Sequence, residues 1–217
     1  MGDLQVKRLV WKYLESNMYL LKCGKHFLII DPVDNEEVLK YCSNADSVTV
    51  FLTHEHFDHI CGLNLLRSVV QCKVFANNEC SNRIQNSKAN MSEYAIALAE
   101  VSGKEIPESW EPFTCQVADI QFSNQCISNW MGYSVEMITT PGHSIGSSCI
   151  LLDDMLFVGD SILWSNLMVK FPGSSKRLYR EVTVPLLEKL LAKARIIYPG
   201  HDEVMTPEEA LKIIRSV

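Results

Sequence analysis

The chain has 217 residues, 47% of them hydrophobic and 21% charged, with a formal net charge of −6. That length supports a single domain with a real core, the composition excludes disorder, and the acidic balance argues against a nucleic-acid surface. No apolar run reaches bilayer length, the start lacks a signal peptide's apolar core, and Val6 breaks the myristoylation pattern, so a cytoplasmic protein without a membrane partner is expected.

In chain order, residues 6–11, 18–21 and 26–31 read as short strands, the last ending at Asp31-Pro32. Residues 34–41 have a helix start at Asp34 and apolar spacing at Val38 and Tyr41. The β-branched and aromatic run SVTVFLT (47–53) has the length of a strand, apolar enough to be covered on both faces. A helix over 60–69 and a strand at 72–76 complete a strand–helix–strand alternation, which argues for layered α/β architecture. Residues 77–114 break the rhythm and read as a helical insertion covering one face of the single domain 1–217. Strands resume near 119–128, 134–139, 147–152 and 155–158. Residues 173–194 read as helical with an interruption at Pro185, where Thr183 makes an N-cap. A strand at 195–199 and a helix at 206–214 with Pro207 at its start close the chain. The nearest pair of the eight cysteines, Cys72 and Cys80, are eight positions apart. That rules out C-x-x-C spacing and favours reduced, packed thiols.

The six histidines are distributed unevenly. His54, His56 and His59 fall in FLTHEHFDH with Asp58 between them, directly after the apolar strand. One histidine on a loop is ordinarily solvated or satisfied in the core; H-x-H-x-D-H after a buried strand is a ligand pattern. Asp58 and His59 are adjacent and point differently, which suits one motif serving two nearby ions. Imidazole and carboxylate ligands suit zinc, iron or manganese and need no thiolate. Downstream, three strand ends each place one ligand-type residue behind a glycine: His143 in TTPGHS, Asp160 in LFVGDS and His201 in IIYPGHD. His26, alone at a strand start, has an ordinary surface or packing role.

H-x-H-x-D-H followed by PGH, GD and GH resembles the metallo-β-lactamase-fold hydrolase superfamily, and Asp31-Pro32 matches its aspartate after the early hairpin. The resemblance implies a four-layered αββα sandwich with a dinuclear metal site at one edge of the two sheets. It implies that His54, His56 and His143 hold one divalent ion, that Asp58, His59 and His201 hold the second, and that Asp160 bridges them. Zinc is the expected metal, with iron or manganese as alternatives.

Such a pair of ions activates water as a hydroxide nucleophile, with Asp58 as the catalytic group that orients it and shuttles a proton. Asp160 argues against a β-lactamase, and DSILWS offers Trp164 where lactonases carry a tyrosine. NSKANMSEY (86–94) resembles a segment of glyoxalase II-like thioester hydrolases, although their glutathione-binding helical domain is absent. The expectation is hydrolysis of a small thioester, with lactone or other ester hydrolysis, or a mononuclear-iron persulfide dioxygenase, as alternatives and a non-catalytic metal scaffold ranked last. Lys170, Lys176, Arg177 and Arg180 crowd eleven residues soon after Asp160. They read either as a solvated helix face or, through Lys170, Lys176 and Arg177, as an anchor for an anionic thiol carrier. Oligomeric state is left open by the sequence.

Overall fold

The computed structural model describes residues 4–165, 169 and 171–216. Two sheets face each other. The first orders its six strands as they occur in the chain: β1 (Gln5–Val10), β2 (Asn17–Cys23), β3 (His26–Ile30), β4 (Ser47–Phe51), β5 (Cys72–Asn77) and β6 (Ile120–Phe122). Its first three strands are antiparallel hairpins, and from β3 onward the pairing is parallel. The second sheet runs β11-β10-β9-β8-β7, from β7 (Gln125–Trp130), β8 (Tyr133–Thr139), β9 (Ser148–Leu152), β10 (Met155–Gly159) and β11 (Ile196–Pro199).

Strand alternation creates the layers, because successive side chains point to opposite faces. Tyr19, Leu21, Leu28 and Ile30 meet Val135, Met137, Ile150, Leu152 and Phe157 between the sheets. The alternate residues Met18, Leu20, Phe27 and Ile29 point outward and are covered by α1 (Glu36–Cys42), α3 (Leu63–Val69), α4 (Asn78–Arg83) and α5 (Ala95–Ser102). On the other outer face, Cys149, Leu151, Leu156 and Val158 pack against α7 (Val184–Leu191) and α8 (Pro207–Arg215). Three apolar clusters thus give the expected αββα sandwich.

Two local expectations need correction. Residues 119–128 are not one strand: β6 and β7 belong to different sheets, and the chain crosses between them at residues 123–124. Thr183 is not an N-cap, because its backbone is already helical and its hydroxyl donates to the Pro141 carbonyl. Instead α6 (Lys176–Leu178) runs into α7 through a π-helical turn at Tyr179–Thr183, where the Val184 N–H bonds to the Tyr179 carbonyl. A wider turn just ahead of Pro185 makes room for a ring that would clash with the carbonyl four residues back.

Candidate metal centre

Four strand ends meet at one edge of the sandwich. The loop after β4 carries His54 and His56, and the short helix α2 (Phe57–Ile60) that follows carries Asp58 and His59 in its single turn. His143 lies in the loop between β8 and β9, Asp160 directly follows β10, and His201 comes two residues after β11. Backbone bonds fasten these ends together: Ser148 N–H to Thr53 O at 2.7 Å, Gly200 N–H to Gly159 O at 2.7 Å and Asn17 N–H to Gly200 O at 2.6 Å. The glycines matter where the ends crowd. Gly159 sits at φ +49°, and a Cβ at Gly200 would stand 2.1 Å from Asp160 Oδ1.

All seven ligand-type residues converge. Asp58 Oδ2, His59 Nε2 and His201 Nε2 form a triangle with sides of 3.3, 3.4 and 3.3 Å. Asp160 adds Oδ1 at 3.4 Å from His59 Nε2 and Oδ2 at 3.6 Å from His201 Nε2. Tetrahedral ligands with metal bonds of about 2.0–2.2 Å stand about 3.3–3.6 Å apart, so these spacings match one ion. Beside this half, His56 Nδ1 and His143 Nε2 are 2.9 Å apart, and Asp160 Oδ2 lies 3.5 Å from His143 Nε2 and 4.0 Å from His54 Nε2. Asp160 therefore faces both clusters. His54 Nε2 and Asp160 Oδ1 are buried without any hydrogen-bond partner. A buried lone pair in the first cluster and a buried anionic oxygen facing the second, both without partners, are costly unless cations serve them, so the donor set fits divalent metal ions.

Behind the ligands, Asp31 sets ring orientation. Its Oδ1 accepts the Thr53 N–H at 2.7 Å and its Oδ2 accepts the Thr53 hydroxyl. With that proton spent, Thr53 Oγ1 accepts from His54 Nδ1 at 3.0 Å, which leaves the His54 Nε2 lone pair aimed at the centre. His59 Nδ1 faces Asp31 Oδ2 at 3.3 Å, so its Nε2 also points inward. One carboxylate thus stands behind an imidazole of each cluster. A grouping of Asp31 with His54 and His59 is also compact enough to hold an ion, but Asp31 already has both oxygens engaged by Thr53.

Charge divides the centre. Burial, reinforced by neighbouring imidazoles, holds His54 well below its ordinary value and lowers His56 to about 4. Burial also opposes protonation of His59, yet Asp58, Asp160 and Asp31 overcome it and raise His59 to about 10. His201 is raised in the same way, against burial, by Asp160 and Asp58. Burial disfavours the charged form of Asp58 too, but His59 and His201 hold its carboxyl well below the usual range.

Sequence reasoning missed Glu55, the residue between His54 and His56. Its side chain is fully buried, accepts from Arg83 Nε and from Ser144 Oγ, and so ties the first ligand loop to the one carrying His143. A carboxylate inside an otherwise buried motif was the available signal; its partners are 28 and 89 positions away. The NSKANMSEY stretch also has a structural task. The Asn90 carbonyl accepts the Phe57 N–H at the start of α2, and Met91, at φ +71°, joins a pocket wall.

That pocket, of about 520 Å³, opens over the centre, with His56, Asp58, His143, Asp160 and His201 on its floor. Lys176 and Arg177 are exposed at the start of α6, with Arg177 paired to Glu181 at 3.6 Å, and neither is among the described residues lining the pocket. Lys170 lies outside the described residues. Trp164 is half exposed and donates to the Glu203 carbonyl. Among the described residues, no helix is long and apolar enough to cross a membrane.

Comparison with known proteins follows the same lines. A family model described as the beta-lactamase superfamily domain matches residues 28–217. A curated relative, described as the probable metallo-hydrolase MJ0888 of Methanocaldococcus jannaschii, is 23% identical over 197 residues, covering 87% of this chain and 88% of its own. Among solved structures, the BLEG-1 B3 metallo-β-lactamase superposes with a TM-score of 0.76 at 21% identity, covering 96% of this chain and 97% of its own. The protein TTHA1623 in a di-iron-bound form superposes with a TM-score of 0.63 at 22% identity, covering 95% of this chain and 96% of its own.

Proposed function

The chain belongs to the metallo-β-lactamase superfamily, and from that premise we propose that it is a two-metal hydrolase acting on a small thioester. The observation carrying this reading is the position of Asp160, with oxygens turned toward both ligand clusters at the floor of one pocket. His54, His56 and His143 would hold one ion; Asp58, His59 and His201 would hold the other. The di-iron form of TTHA1623 is in keeping with two ions, and zinc is the metal proposed here. Bound there, divalent cations would lower the pKa of water and polarise the scissile carbonyl.

The chain's own groups supply the rest. Asp58 is buried, its carboxyl is held well below the usual range, and it lines the pocket floor, where it would accept a proton from the attacking water and return it toward the leaving group. Asp31, through Thr53, keeps His54 in one tautomer. The preference for a thioester rests on the NSKANMSEY resemblance and on the aspartate at position 160. The test is metal analysis of purified protein followed by thioester, lactone, phosphodiester and β-lactam assays. Efficient opening of a homoserine lactone with no thioester turnover would refute the ranking. Sulfite formation with oxygen uptake from a persulfide would replace it with the dioxygenase reading.

A further inference from the structure

The pocket above the metal-facing residues has walls unlike its floor. Leu14, Met91, Leu98, Val101, Leu163 and Phe171 form them. Helix α5 explains much of this: Ala95 and Ala99 are buried in the core, and Leu98 and Val101 on its flank turn to the pocket. Val101 is 90% exposed, an apolar side chain left uncovered by the described residues. Apolar surface reaches the reacting centre itself, since the Phe171 ring lies 5.9 Å from that of His56 and 6.3 Å from that of His143. Among the described residues lining the pocket the one lysine or arginine is Lys104, and Glu15, which also lines it, pairs with Lys104 at 2.7 Å.

We propose that this pocket binds an uncharged hydrocarbon acyl chain, so that the substrate is a medium-chain acyl thioester whose charged carrier stays outside the walls. The inference rests on the hydrolase reading for placing the scissile carbonyl at the floor. An apolar wall above a polar floor orients a chain by burying it, although Ser102, Ser165 and Asp202 also line the pocket. Among the described lining residues the one lysine or arginine, Lys104, is paired with Glu15 and so is not left to hold an anionic carrier inside. A short polar acyl group would leave most of the apolar surface wet.

The test separates the pocket from the chemistry. Binding of butanamide, hexanamide and octanamide to the metal-loaded protein is measured by calorimetry, beside hydrolysis of the matching S-acyl thioesters and of S-acetyl esters of alkyl thiols. Kd should fall about fourfold per added methylene, as full burial of each implies. Val101→Asp, a change at an exposed position that the fold tolerates, should flatten that slope, and Leu98→Asp should flatten it further. Equal Kd values for butanamide and octanamide, a slope unchanged in Val101→Asp, or a chain-length effect confined to the thiol side would each overturn the assignment. Octanamide binding with the full slope while no thioester is cleaved would sustain the pocket and sink the hydrolase reading. Thioester cleavage indifferent to acyl length would do the reverse.

Discussion

His54, His56 and His143 bring together imidazole nitrogens alone, whereas Asp58 joins His59 and His201 on the other side, with Asp160 turned toward both. The first cluster is deeply buried and its His54 and His56 are held neutral. The second stores protons, because its carboxylates raise His59 and His201. The same residue type therefore titrates in opposite directions within one pocket, according to whether imidazoles or carboxylates surround it. Without metal, protons on the second cluster balance its carboxylates, and an ion must displace them.

The largest expected effect removes the shared group. Asp160→Ala takes away the oxygens that face both clusters, so bound metal should fall to about one ion per chain or less, read by metal analysis, with turnover lost. Next comes Arg83→Met, which strands the buried Glu55 carboxylate beside the first cluster. A loss of about 3 kcal/mol in denaturant unfolding is expected, as for other broken buried pairs. Asp31→Asn keeps the shape but weakens the acceptor behind both His54 and His59, and metal affinity should drop about 10–100-fold in competition with a chelator.

A pH series sharpens the comparison further. His59 carries its proton below about 10, so binding of the second ion should tighten as pH rises from 7 toward that value, by up to about tenfold per unit. His56 loses its proton near 4 and burial holds His54 well below its ordinary value, so affinity of the first cluster should be nearly flat over the same range. Equal pH slopes for both ions would break the distinction between the clusters. The smallest effect belongs to the exposed cations: Lys176→Ala and Arg177→Ala should change KM by less than about twofold.

The residues that converge were legible because local chemistry marks them: a histidine cluster after a buried strand, and single ligand-type residues behind glycines at three strand ends. The layers were legible through strand alternation and the strand–helix order. The sheet crossing near residues 123–124 was not, since β6 has only three residues, two residues separate it from β7, and neither pattern says which sheet it joins. Nor was the pairing of Glu55 with Arg83 and Ser144, which depends on loops that only the fold brings together. The basic residues at 176–177 were conspicuous in sequence, yet part of the pocket wall comes from Leu98 and Val101, ordinary members of a helix in the insertion that reads only as covering one face.

The central claim is that one pocket holds two ions joined through Asp160. Its most direct test is the metal content of protein stripped and titrated with zinc at pH 8, measured by elemental analysis after removal of free metal. The account predicts two ions per chain in the unaltered protein, the second bound more weakly as pH is lowered. A plateau at one ion per chain, unchanged in Asp160→Ala, would contradict it.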